Sequence, residues 1–364
     1  MKNVLHILSG DDGGITAVVK NFYKNIDKNK IHFDIACTTN TEGNDIASIK
    51  NMGARIYHLP MKVNGLHAYT ESLKNILNNK SYDAIHVHET ETSYIALRIA
   101  KKYGIKCRIA HSHSTAPYTT FKNEIRRLSG VILNYHYATT VMACGEMSGN
   151  RIFGKFNMKR KKALVLSNAI DIDKFKYNCF VRNSLREQLE LSDKCVVGFI
   201  GRLEPQKNPI FSLKIIELLH KINPNAVLMI VGDGIEESKI RMYIEEHNLK
   251  DCVRLLGKRT DVECLYQVFD AFILPSFYEG FPLVAVEALA SGLPTFLSTG
   301  ITPEFSFSKS VTYLNIDNAD QWATAINSSF EGYKRTEHLN ELNPEVFDIK
   351  CVIKRLENIY LSEK

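Results

Sequence analysis

The stretch VVGFIGRLEPQKNPIFSLKIIELLH, residues 196–220, decides the fold. Its first five residues, Val196–Ile200, are an unbroken apolar run, as expected of a strand buried on both faces. A polar turn follows. From Ile210 to His220 apolar residues then recur along one helical stripe. Strand, loop and helix in that order form half of a βαβ unit. The pattern continues downstream, with strands expected at Ala226–Val231, Val253–Leu256, Ala271–Leu274 and Pro294–Leu297 and helices at Ser238–His247 and Leu283–Ala290. It also runs upstream. Strands are expected at Val4–Leu8, Phe33–Thr38, Ala84–His88 and Cys107–Ala110, and helices at Thr16–Tyr23, Tyr69–Leu77 and Ser93–Lys102. Alternation at this spacing predicts parallel sheets. Because it restarts after a join near 168–195, two α/β domains are expected, and residues 345–364 read as an amphipathic C-terminal helix.

Composition agrees with this reading. At 364 residues, 45% hydrophobic and 24% charged, the chain is neither largely disordered nor collagen-like. Its eight cysteines form no CxxC pair, so local spacing supports neither a zinc cage nor a redox dithiol. The apolar run in MKNVLHILSGDDGG is too short for a signal-peptide core, and no stretch approaches a membrane span. Scattered cysteines without such a signal fit a reducing cytoplasm. Charge is uneven. Residues 1–167 hold 24 Lys and Arg against 12 Asp and Glu, a net +12, while residues 168–364 hold 22 against 28, a net −6. The basic half therefore points to an anionic partner, with an anionic membrane surface the leading candidate. It shows no aromatic interleaving or nucleic-acid motif, so no nucleic-acid partner is expected.

Three loops carry the chemistry. Gly13-Gly14 lies between the first strand and the first helix, where a backbone approaches a ligand closely and the helix N-terminus favours phosphate. The string SGDDGGIT is not GxGxxG, so a nicotinamide site is poorly supported. Gly201-Arg202-Leu203-Glu204-Pro205-Gln206-Lys207-Asn208-Pro209 follows a strand directly, with Arg202 and Lys207 flanking a turn built on Pro205. Asn208 and Pro209 read as N-cap and first helical residue. Two cations beside a helix start suit a diphosphate. The third loop is PSFYEGFPLVAVEALASGLP, residues 275–294. Glu279 lies in the turn before a helix that Pro282 is suited to start, and Glu287 lies one turn inside it. Carboxylates placed so accept hydrogen bonds from paired hydroxyls of a ribose or sugar, and the N–H groups near 281–284 suit a phosphate.

GRLEPQKN, VGDGIEE, LLGKRTDV and PSFYEGFPLVAVEALASGLP, in that order and spacing, resemble the retaining nucleotide-sugar glycosyltransferases of family 4. HSHS at 111–114, ACGEMSGNRIFG and NAIDIDKF are similar to their capsular and exopolysaccharide branch. The resemblance implies the GT-B architecture: α/β, with two Rossmann-like domains facing a central cleft. The expected acceptor-side domain is 1–167 plus 345–364, and the expected donor-binding domain is 168–344.

The resemblance also assigns roles. Arg202 and Lys207 neutralise the donor diphosphate, Glu287 holds the ribose hydroxyls, and Glu279 with Gly280, Phe281, Pro282 and Leu283 holds sugar and phosphate. Gly201, Gly232 and Asp233 border the nucleotide, Lys258, Arg259 and Thr260 line the base, and Gly13 and Gly14 approach the diphosphate. His111 or His113 faces the reacting centre, with His86 and His88 ranked behind them. Where the family often shows Pro-Asn-Gly-Val-Asp, this chain has Ser167-Asn168-Ala169-Ile170-Asp171, so Asn168 and Asp171 are kept and the Pro and Gly are lost.

The implied reaction moves a hexosyl unit with retention from a nucleotide-diphosphate sugar, UDP-sugar above all, to a glycan or lipid-linked acceptor. The leaving diphosphate takes the acceptor's proton. Asp171-Ile172-Asp173 spells DxD but lies in the domain join, so no cofactor and no obligatory metal are expected. Lys101, Lys102, Lys122, Arg126, Arg127 and Arg160-Lys161-Lys162 are the expected contacts to the inner face of a membrane. A nucleotide-sugar epimerase of the same fold is one rival reading, and it leaves the basic half unexplained; a non-enzymatic nucleotide-sugar sensor is another.

Overall fold

The computed structural model describes residues 1–10, 13–39, 43–89, 91–113, 115, 121–159, 163–338 and 340–362. The first half builds one parallel sheet from β1 (Lys2–Leu8), β2 (Ile31–Cys37), β3 (Ile56–His58), β4 (Ala84–Val87), β5 (Cys107–Ser112), β6 (Thr140–Ala143) and β7 (Ala163–Val165), in the order β3-β2-β1-β4-β5-β6-β7. The second builds β8 (Cys195–Ile200), β9 (Ala226–Val231), β10 (Val253–Leu255), β11 (Ala271–Leu274), β12 (Thr295–Ser298) and β13 (Val311–Leu314), in the order β10-β9-β8-β11-β12-β13. Both sheets are parallel throughout and doubly wound. The chain divides into two compact units, Met1–Ala169 with Glu345–Lys364, and Ile170–Pro344.

The strand order fixes where a ligand binds. In a doubly wound sheet the crevice opens at the carboxyl ends of the two strands between which the winding reverses. Those are β1 and β4 in the first unit and β8 and β11 in the second. The strands read as apolar because they are: Val4, Leu5, Ile7 and Leu8 are fully buried, as are Phe272, Ile273 and Leu274. The helix Ile349–Leu361 belongs to the first unit, where Val352, Leu356 and Tyr360 are buried.

In the second unit the helix Val262–Val268 ends in carbonyls that have no partner within the helix. Arginines supply the donors. Arg335 donates to the Tyr266, Gln267 and Phe269 carbonyls at 2.9–3.1 Å, and Arg182 to those of Gln267, Val268 and Phe269 at 2.9–3.2 Å. Arg186 donates to the Val268 carbonyl and to Asp270, which balances the charge. Arg335→Ala strips several of these donors, and we expect the second unit to lose about 3 kcal/mol of stability. Urea unfolding measures this, and an unchanged midpoint would refute it.

Among the described residues no helix is long and apolar enough to cross a membrane.

Candidate active site

The turn after β8 and the turn after β11 meet at the switch point of the second unit. The short 3-10 helix Pro205–Lys207 starts on its proline, whose fixed φ suits that place. Gln206 ties it to the next turn: its carbonyl accepts from the Phe277 N–H at 2.9 Å, and its side-chain amide donates to the Tyr278 carbonyl at 2.9 Å. This brings Lys207 Nζ to 2.6 Å from Glu279 Oε1, with both side chains largely buried at 17% and 11% exposure. Arg202 goes elsewhere. It is half exposed and pairs with Glu204 at 2.6 Å.

Two details differ from expectation. Asn208 holds the N-cap position but offers no side-chain cap. Its backbone is left-handed, with φ 53°, because it also closes the 3-10 turn. Pro282 is the N-cap, one residue before the helix Leu283–Ala290, since its ψ of 122° is extended.

Glu287 lies inside that helix and accepts from the Tyr266 hydroxyl at 2.9 Å, and the same hydroxyl lies 3.0 Å from the Val284 carbonyl. Burial first, and the Glu287 charge second, raise the Tyr266 pKa well above its ordinary value, so the phenol stays a donor. Tyr266 escapes a sequence reading because it sits in the apolar string LYQVF. Phe281 is buried against Phe305, ring centroids 4.4 Å apart, which anchors the loop beside Gly280.

The ends of β8, β9 and β10 are knit closely. The Gly201 N–H donates to the Val231 carbonyl at 3.0 Å and the Gly232 N–H to the Gly257 carbonyl at 2.8 Å. Gly232 has φ 140°, and a Cβ there would stand 1.9 Å from the Gly201 carbonyl oxygen, so glycine is required. The Leu203 N–H donates to the Asp233 carbonyl at 2.7 Å. Lys258, Arg259 and Thr260 are exposed on the adjoining loop, and Arg259 makes a bidentate pair with Asp261 at 2.7–2.8 Å.

In the first unit Gly13 caps the helix Gly14–Asn25 with φ 106°, a conformation that favours glycine. A Cβ on Gly14 would meet nothing within 4 Å, so the unit's own packing does not demand glycine there. Asp11, Asp12 and Ser114 lie outside the described residues.

Histidines dominate the switch point of this unit. His6 on β1 stands in register with His86 on β4. His88 follows β4, His111 lies on β5, and His113 follows it. Their rings pack in one group, with centroids of His111 and His113 4.0 Å apart and tilted, and of His86 and His88 4.2 Å apart and stacked. Burial lowers every one of their pKa values, His6 to about 3 and His113 to about 4. Asn168 lies beside His113 and partly offsets the effect there.

The structure thus joins the expected pair His111 and His113 to His86 and His88, which ranked behind them, and to His6, which the sequence reading passed over. A polar residue in the buried string VLHIL was the available signal. One nitrogen from each of His6, His86 and His88, and likewise of His88, His111 and His113, lies within 4.8 Å of the others, a spacing open to a transition-metal ion.

Of the basic residues expected at a membrane, Lys101 and Lys102 are exposed, while Arg127 pairs with Glu124 at 2.6–2.9 Å. Arg160, Lys161 and Lys162 lie outside the described residues, as do the side chains of Lys122 and Arg126. Asp171 is the N-cap of the helix Ile172–Phe175, and Asp173 pairs with Lys176 at 2.7 Å.

Comparison with known proteins agrees with this layout. A family model described as Glycosyltransferase Family 4 matches residues 12–174, and one described as Glycosyl transferases group 1 matches residues 181–345. The putative glycosyltransferase EpsF of Bacillus subtilis (strain 168) is 32% identical over 99% of this chain and 96% of its own length. The UDP-Gal:alpha-D-GlcNAc-diphosphoundecaprenol alpha-1,3-galactosyltransferase of Escherichia coli is 29% identical over 62% of this chain and 60% of its own. Among solved structures, Anabaena HepE in complex with UDP and glucose matches with a TM-score of 0.81 and 18% identity over the whole of both chains. Two doubly wound units, a family match to each, and likeness to EpsF along nearly the full length lead to one conclusion: the chain belongs to the family 4 glycosyltransferases of the GT-B fold.

Proposed function

We propose that this glycosyltransferase moves a hexosyl unit from a UDP-sugar to a hydroxyl of a lipid-linked saccharide, with retention, in the assembly of a capsule or exopolysaccharide. The observation that carries the donor side is the largely buried Lys207–Glu279 pair at the switch point, 2.6 Å apart. As the glycosidic bond breaks, the diphosphate gains negative charge. Lys207 and the N-terminus of the helix Leu283–Ala290 stabilise that charge, with Arg202 at longer reach. Once the diphosphate binds Lys207, the Glu279 carboxylate turns to the hydroxyls of the transferred sugar. Glu287, oriented by Tyr266, takes the ribose diol. Charge neutralisation by these groups leaves no obligatory role for a metal. The lipid-linked acceptor is supported by the E. coli relative, whose name specifies a diphosphoundecaprenol substrate. The basic first unit, with Lys101 and Lys102 exposed, suits the acceptor's pyrophosphate and an anionic membrane surface.

The test is calorimetric binding of UDP, GDP and ADP, with and without EDTA, followed by product analysis with UDP-sugars and a lipid-linked saccharide. UDP binding that survives EDTA, with a glycosylated product of retained anomeric configuration, is expected. Free sugar or an epimerised nucleotide sugar in place of that product would overturn the transferase reading. Glu287→Gln keeps the shape and removes the charge. It is expected to weaken UDP binding about tenfold, the loss of one charge-assisted hydrogen-bonding site. Deoxyribose UDP should then bind wild type and variant alike, and a variant that still discriminates between the two nucleotides would refute the assignment.

A further inference from the structure

We propose that the second unit carries a binding site for a phosphate dianion, free or as the head of a monoester, in a cavity lined by Arg182, Lys194 and Arg335. The cavity measures about 410 Å³, within the range of small-molecule pockets. Tyr177, Phe330 and Tyr333 supply aromatic walls. Cys195, the first residue of β8, and Asp270, just before β11, lie at its floor. Those are the amino ends of the two strands whose carboxyl ends form the candidate active site. The six residues of β8 put about 17 Å of strand between the two places. None of the residues expected to hold the donor lines this cavity.

Charge is what points to an anion. Arg182 and Arg186 share the two carboxylate oxygens of Asp270, which balances one of the charges. Arg335 makes no ion pair among the described residues, and neither does Lys194. The carbonyls ending the helix Val262–Val268 accept hydrogen bonds from the arginines, but a helix end supplies only about half a negative charge. Four cations against one carboxylate and that helix end leave a surplus of about +2.5. Cations withdrawn from water without a counter-charge are costly. Burial first, and the Arg182 charge second, lower the Arg335 pKa to about 9. The guanidinium groups have their hydrogen bonds and are still short of an anion.

A phosphate monoester carries about −1.5 to −2 at pH 7, close to the missing charge, whereas a carboxylate brings only one. Donors remain to receive it. Arg182 spends Nη1 and Nη2 on carbonyls and Asp270, and its Nε–H makes no hydrogen bond among the described residues. The Lys194 ammonium makes none among them either. Arg335 gives four carbonyls one N–H each and keeps one hydrogen of Nη2. Its guanidinium lies over the Tyr177 ring, with Cζ 4.5 Å from the centroid, which holds it in place. Guanidinium forks and an ammonium are the groups that take phosphate oxygens. An organic group on the phosphate rests against Phe330 and Tyr333.

This site does not depend on the transferase reading. The experiment is calorimetric titration of the full chain with sodium phosphate, glucose 1-phosphate and glucose, at low ionic strength and near neutral pH. We expect phosphate and glucose 1-phosphate each to saturate one site, and glucose to give no heat. Tighter binding of glucose 1-phosphate makes the ligand a monoester, and equal binding makes it inorganic phosphate. Phosphate should also raise the urea midpoint of the second unit, because it binds the folded form.

Lys194→Gln removes the charge and should weaken both anions about tenfold. The donor turn is cationic too, so the double variant Lys207→Met with Glu279→Gln is the control, and it should bind phosphate as the wild type does. Unchanged binding by a folded Lys194→Gln protein overturns the proposal, and loss of binding in the double variant then places the anion at the donor turn. Absence of saturable binding at millimolar phosphate, or equal heats from glucose and glucose 1-phosphate, overturns it as well. If Lys194→Gln does not fold, a crystal structure of the wild type grown in phosphate decides. Phosphate held between Arg182, Lys194 and Arg335 supports the site, and an empty cavity rejects it.

Discussion

Lys207→Ala is expected to lower kcat/KM for the nucleotide sugar by about 10²–10³-fold, the loss seen when one preorganised group facing developing negative charge is removed. The reason lies in how the lysine is held. Its side chain is 17% exposed, and the ammonium is fixed 2.6 Å from Glu279 by a turn pinned through Gln206 to the Phe277–Tyr278 backbone. A charge fixed before the substrate arrives needs little reorganisation as the bond breaks. Arg202 is solvated and paired with Glu204, and Arg202→Ala should cost tenfold at most. The lysine change also strands a largely buried carboxylate, so about 3 kcal/mol or more of stability should go with it. The double variant Lys207→Met with Glu279→Gln separates the two effects. It should regain most of the stability and none of the activity, as read by urea unfolding and initial rates on the same preparations. A folded Lys207→Ala enzyme with wild-type kcat/KM would place the diphosphate elsewhere.

The sheets were legible because their signal is local. Val196–Ile200, Ala226–Val231 and Ala271–Leu274 are apolar runs bounded by turns, and the structure places strands within a residue of each. The helices Ser93–Lys102 and Leu283–Ala290 fall where the pattern puts them. The helix Phe121–Tyr137 has no counterpart in the sequence reading, although Ile125, Leu128 and Ile132 recur at helical spacing. The short strands β3, β7 and β13 are partly exposed, so they lack the continuous apolar run that marks a central strand.

Individual loops of the candidate site could be read from residue type and neighbours, but their pairings could not. Nothing in GRLEPQKN shows that Arg202 turns to Glu204 while Lys207 reaches Glu279, because that choice depends on a turn more than 70 residues away in the sequence. The histidines show the same limit. HVH and HSH each look like one strand end. Only the sheet order, with β1 beside β4 and β4 beside β5, brings them to His6, and only the C-terminal helix brings Tyr360.

That histidine group should make the first unit acid-labile well above the carboxylate range. The sign follows from protonation. Burial lowers the folded-state pKa of His6 to about 3 and of His113 to about 4, and lowers those of His86, His88 and His111. Unfolded histidines titrate near 6.5. Between the two values the unfolded chain binds protons that the folded chain refuses. Stability is therefore complete above about pH 6.5 and falls as the pH drops toward the folded values. At pH 5 His6 and His113, with folded values near 3 and 4, each cost about 2 kcal/mol, and His86, His88 and His111 act in the same direction.

Asp34 acts in a lower window. Its burial would raise the pKa, but hydrogen bonds from Lys80, Tyr82 and the Arg55 N–H outweigh this and hold it below the usual value. Its contribution is lost only as the pH falls below about 4. We expect urea midpoints for the first unit to fall steeply between pH 6.5 and 5, with proton uptake on unfolding that rises toward five per chain. His6→Phe, placed beside Phe33 at a ring distance of 4.2 Å, should flatten the slope by one proton. A first unit whose midpoint is unchanged down to pH 5, with no proton uptake on unfolding, would show that the five rings are not held neutral.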